Sequence, residues 1–266
     1  MYRTVRPMDS ETLRQVAPSV YATRPDFKVS NAYSFLPTSE VVTALADKGF
    51  GVYGANQTQG RVGNIDYAKH TLRFRPNEGP VEYPVVGAVL PEVVLTNSHD
   101  RGSSFIVEVG LFRLACSNGL VMQTASVDAA RIRHVGVSLA DVLSEVDRVV
   151  SQFPMMLDRV AKFKAVTLTD AQRADFAARA IGLRWEVDKL PFPSELLLST
   201  RRAEDNGPSL WDTLNVVQEN LLRGQRHNRR IRWNGARNTQ GLQSIDRDLS
   251  INRSLWAMAE EYAATV

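Results

Sequence analysis

PEVVLTNSHDRGSSFIVEVGLFRLAC, residues 91–116, joins two apolar runs through a polar turn. PEVVLTN and SSFIVEVGLFRLAC are rich in Val, Ile, Leu and Phe, which suit a pleated and at least half-buried surface. Between them, the polar side chains and glycine of SHDRG favour a turn. The stretch predicts two successive strands. Upstream, AKHTLRFRP (68–76) alternates around Leu72 and Phe74, and FGVYGANQTQ (50–59) reads as a further strand. Before these, NAYSFLPTSEVVTALADKGF predicts a helix that starts at Pro37-Thr38, carries Val41, Val42 and Leu45 on its apolar face, and stops at Gly49. Residues 9–17 suit a short opening helix, and ARIRHVG (130–136) a short extended segment.

After residue 137 the period changes. SLADVLSEVDRVVSQF places Leu139, Val142, Leu143, Val146, Val149, Val150 and Phe153 on one helical face, and Pro154 breaks it. TDAQRADFAARAIG opens with the capping-box spacing of Thr169 and Gln172. SLWDTLNVVQENLLRG predicts a helix from Ser209 to Gly224, and SIDRDLSINRSLWAMAEEYA a last one. The expected fold is α+β: an N-terminal half of helix plus antiparallel sheet over 1–136, then an all-helical half over 137–266. A basic loop at 223–241 interrupts the second half, where Gly224, Gly235 and Gly241 argue against continuous helix.

The 266 residues carry a net charge of +3, and this charge is local. LLRGQRHNRRIRWNGARNTQG (221–241) holds Arg223, Arg226, Arg229, Arg230, Arg232 and Arg237 with no carboxylate, so the rest of the chain is net negative. Such a cluster is either a solvated loop or a seat for a polyanion. A nucleic-acid backbone is the obvious one, with Trp233 as a base-stacking platform. Arginine also outnumbers lysine 26 to 6. That bias suits bidentate phosphate recognition, and GC-rich coding produces it equally well. Arg73 and Arg75 alternate with Leu72 and Phe74, and Arg131 and Arg133 flank Ile132. Each pair lines one strand face, which is either a groove for phosphate or a plain solvent face.

Asn97, Ser98, His99 and Asp100 form a polar constellation that, with Cys116, contains a nucleophile, a base and an acid. The same residues before Gly102 also suit a turn, and Cys116 suits packing as a small hydrophobe. Asn118-Gly119 reads as a turn as well. Phosphate-loop, dinucleotide-binding and HExxH motifs are missing, and the four histidines are far apart in sequence, so no cofactor and no metal is expected. With one cysteine, no membrane-length apolar run and no apolar leader, the chain is expected to be cytoplasmic.

At LTNSHDRGSS (95–104), FRLACSNGLV (112–121), RIRHVG (131–136) and SIDRDLSINRSLWAMAE (244–260), the chain resembles domain-of-unknown-function family 932, the YfjQ/YafZ-like proteins of prophages and plasmids. The resemblance implies a mobile-element setting and no assigned activity. Element order is also similar to that of single-strand annealing proteins. The expected function is therefore a mobile-element DNA-binding protein that forms homo-oligomers on single-stranded DNA and promotes annealing and recombination. The alternatives are a protein-interaction factor acting against a host defence or repair protein, and a metal-dependent nuclease.

Overall fold

The computed structural model describes all residues except 1, 5, 59–64, 78–87, 114–115, 122–128, 203–204, 225–237 and 266; residues 3 and 116–121 are described by their backbone alone. An antiparallel sheet runs in chain order through β1 (Tyr2–Arg3), β2 (Phe50–Gln57), β3 (His70–Pro76), β4 (Val89–Asn97), β5 (Phe105–Arg113) and β6 (Cys116–Val121). A seventh strand, β7 (Ala130–Ile132), shares the far edge of β5 with β6. It pairs along Phe105–Val107, and β6 pairs along Gly110–Arg113. Asn118 and Gly119 lie inside β6, so the turn expected there is part of a strand.

Pairing sets Leu72 opposite Leu95 and Leu95 opposite Val107, so one face of the sheet is apolar and buried. Three helices belong to this half: α1 (Ser10–Val16), α2 (Thr38–Asp47) and α3 (Leu139–Val150). Thr38 at the start of α2 hydrogen-bonds His70, which shares a face with Leu72, so α2 lies over the apolar side. The sequence dictates the bounds of these helices. Asp9 caps α1 by accepting from the Thr12 backbone N–H, Gly49 follows α2 with φ +83°, and Ser138 and Asp141 close a capping box on α3. Val142, Val146 and Val149 are the buried stripe of α3, which packs on β4, β5 and β7.

The fold is α+β, with helices filling the C-terminal half. Two residues separate α3 from α4 (Phe153–Ala165), and Pro154 sits in the first turn of α4, where its missing N–H costs no helical bond. α5 (Asp170–Ile181) carries the Thr169–Gln172 capping box. α6 (Leu210–Arg223) is buried nearly all round, and α7 (Ile245–Thr265) packs beside it. The polar residues of α6 have partners: Gln218 donates to Asn252 of α7, and Asn220 to the carbonyls of Leu197 and Ser199. Contacts divide the chain into compact units at Met1–Pro154 and Met155–Val266. The division lies past residue 137, where the sequence changes period, because α3 packs on the sheet. Among the described residues, no helix is long and apolar enough to cross a membrane.

Candidate nucleic-acid interface

The last carbonyls of α6 have no helical partner, and a helix C-terminus favours cations. Guanidinium groups fill that role. Arg184 donates to the Leu221 and Gln240 carbonyls, and Arg201 donates to Gly224 O at 2.7 Å and to Asn220 Oδ1 at 3.1 Å. Leu242 N–H bonds Leu222 O at 2.8 Å. Gly224 (φ +73°, ψ 169°) lies so close to Thr239 and Gln240 that a Cβ would collide with their carbonyls. The two ends of the basic segment are thus clamped together. Residues 225–237, with Arg226, Arg229, Arg230, Arg232, Trp233 and Arg237, lie outside the described residues.

Charge gathers at this stem. Buried Glu219 pairs with both Arg202 and Arg223, the latter at 2.9 Å, and Arg202 also pairs with Asp205 at 2.7 Å. Burial lowers the pKa of Arg201; Glu219 opposes this, and Arg223 and Arg202 add to it. Burial and then Arg247 lower that of Arg184. Like charges therefore already repel one another where the basic segment begins and ends. Arg184, Arg201, Arg202 and Arg247 carried no local signal in sequence, since they are scattered over three separate segments. Arg223 was legible, but it is half committed to Glu219.

The strand arginines have different fates. Arg73 and Arg75 do lie on the face opposite Leu72, but they are only 1% and 5% exposed. Glu92 holds both, Arg73 Nη1 at 2.8 Å and Arg75 Nε at 3.0 Å. The Arg75 guanidinium is sandwiched between the rings of Tyr53 and Phe112, at 4.1 and 4.0 Å. This corrects the expectation of a phosphate-facing strand: the pair's charge is turned inward on a buried carboxylate. Arg131 and Arg133 are exposed and line one surface pocket of about 400 Å³, shared with Asp141 and Glu145.

Asn97 and His99 are buried, and they join residues that sequence reasoning missed. Asn97 Nδ2 donates to Thr38 Oγ1 at 2.9 Å; Thr38 Oγ1 also meets His70 Nε2 at 2.9 Å and His99 Nε2 at 3.3 Å. Ser19 Oγ donates to Gln57 Oε1 and therefore accepts from His70 Nδ1 at 2.7 Å. His70 Nε2 is then bare and accepts from Thr38, which leaves His99 Nε2–H to donate to Thr38. This chain of donors requires the His70 ring to be neutral. Burial pushes His70 down to about 4; burial, aided by His70 and His134, pushes His99 down to about 3. Asp100 serves the turn, accepting from Gly102 N–H at 2.8 Å, and Ser98 Oγ accepts from Ser103 N–H at 2.7 Å. The Cys116 side chain lies outside the described ones. Among the described residues, no three His, Cys, Asp or Glu side chains gather to hold a metal.

Residues 28–256 match the family described as "Domain of unknown function (DUF932)". The chain belongs to the DUF932 family. It is 33% identical over 261 residues to UPF0380 protein YafZ of Escherichia coli (strain K12), covering 98% of this chain and 93% of the relative. UPF0380 protein YfjQ of the same organism is 32% identical with the same coverage. No solved structure gives a significant match. The DUF932 match begins ahead of α2 and ends within α7, so it takes in strands β2 to β7, the buried histidines and the clamped stem.

Proposed function

We propose that this DUF932 protein binds single-stranded DNA through the 225–237 segment, assembles on it in several copies, and promotes strand annealing and recombination. The observation that carries the reading is the clamped stem. Its guanidinium groups serve helix carbonyls and Glu219, and it brackets 13 residues with five arginines and no carboxylate. Fixing both ends of a basic loop reduces the ordering entropy lost when it meets a polyanion. Arg131 and Arg133 offer a second pair of exposed guanidiniums, beside Asp141 and Glu145, and the order α2, β2 to β7, α3 is compatible with an annealing-type core.

The test is fluorescence anisotropy of labelled single- and double-stranded oligonucleotides across a salt series. The wild type binds single strands more tightly, with a steep salt dependence. Arg229→Ala/Arg230→Ala/Trp233→Ala abolishes the single-strand preference. Arg131→Ala/Arg133→Ala lowers the log–log salt slope by about 0.7 for each phosphate contact removed. No binding at low salt overturns the reading and directs attention to an acidic protein partner. Mass photometry on a long single strand, with copies added in proportion to strand length, checks the assembly.

A further inference from the structure

Beyond the basic segment, a separate pocket of about 190 Å³ opens between the 98–104 turn and the end of β7. Its walls carry one charged side chain, Arg101, and no carboxylate. Arg101 has φ +69°, a left-handed conformation rare for a residue with a side chain. Among the described residues, the Arg101 guanidinium and the hydroxyls of Ser30 and Ser104 have no hydrogen-bond or ion-pair partner. His134 also lines the pocket; it is only 8% exposed, and both ring nitrogens are buried without a hydrogen bond. Its ring is stacked on Tyr33 at 4.6 Å and packed by Phe105 at 4.9 Å. Burial holds His134 below its usual pKa; backbone groups of Ser103 and Ser34 oppose that without reaching hydrogen-bond geometry. A strained arginine and two hydroxyls without partners among the described residues thus line one cavity.

We propose that this pocket binds a phosphate monoester. Arg101 supplies the charge, Ser30 and Ser104 supply hydroxyl donors, and the His134 ring forms part of the wall. A guanidinium and two hydroxyls suit an oxyanion with three terminal oxygens. The volume is below that of a drug-sized site, which limits the ligand to a small group. An ester is favoured over the free ion because Tyr33 and Val135, the latter 66% exposed, give the same pocket an apolar wall for the esterified part. Burial raises the Tyr33 pKa and Asp100 adds to that rise, while Asp100 Oδ1 accepts from Gly102 N–H.

Two sources share this chemistry, a free mononucleotide and the 5′ end of a nucleic-acid strand. Calorimetry on the full chain separates them by comparing thymidine 5′-monophosphate with thymidine, and a 5′-phosphorylated pentanucleotide with its 5′-hydroxyl form. The phosphorylated member of at least one pair binds more tightly by about tenfold or more, as a charge-assisted contact implies. Arg101→Asn, which keeps a residue tolerant of positive φ, and Ser104→Ala each remove that difference. A gain confined to the first pair assigns the free nucleotide, and one in the second the strand end. Equal binding within both pairs, or an unchanged gain in Arg101→Asn, overturns the proposal. Arg229→Ala/Arg230→Ala/Trp233→Ala keeps the mononucleotide difference, so failure of the single-strand reading and failure of this one are read separately.

Discussion

Glu92 receives two guanidiniums in a place with almost no water, and its value lies in that pairing. Buried ions are costly to desolvate, so the triad persists because each charge has its partner and Arg75 has two aromatic faces as well. Gly110 belongs to the same device: a Cβ there would press on Val94 and come within 3.0 Å of Arg73 Nη1. Replacing Glu92 with Gln removes the carboxylate that two buried guanidiniums share. Urea unfolding of Glu92→Gln is expected to show a loss of about 3–5 kcal/mol. A loss under 1 kcal/mol would mean that water reaches the pair and that the inward-turned reading of Arg73 and Arg75 fails.

At the scale of an element, the informative piece is the end of α6. Helix termination, loop closure and charge collection coincide at Gly224, whose φ and ψ fall in a region open almost only to glycine. Gly224→Ala therefore costs about 1–3 kcal/mol in backbone strain, and its Cβ meets carbonyls that cannot swing away as a side chain would. The expected result is a lower urea midpoint together with weaker single-strand binding, because the two ends of the basic segment are forced apart. Unchanged DNA affinity in a folded Gly224→Ala protein would show that the clamp does not serve the loop.

For the whole molecule, the buried histidines set an acid limit. An unfolded imidazole titrates near 6.5, whereas His70 and His99 stay neutral to about 4 and about 3 in the fold. The unfolded state thus binds more protons below pH 6.5, and stability falls as pH drops from there toward 4. The slope is at most about 1.4 kcal/mol per pH unit for each ring. Urea midpoints from pH 7.5 to 4.5 check this, and a His99→Asn variant should show a shallower fall. Flat stability between pH 6.5 and 5 would contradict the neutral network. Much of the architecture was readable along the chain, because strand alternation, helical stripes, Asp9, Thr169, Ser209 and Gly224 all act within a few residues. The clamp around 225–237 was half readable: its charge run and glycines are local, while Arg184 and Arg201 come from elsewhere. Burial of Arg73 and Arg75 was not readable, since a solvent-facing strand and one paired with Glu92 share the same alternation. The same holds for Ser19, Thr38, His70 and His99, and for the pocket where Arg101 meets His134. Period and capping are local properties of the chain, whereas desolvation and hydrogen-bond partners depend on which distant segments meet when it folds.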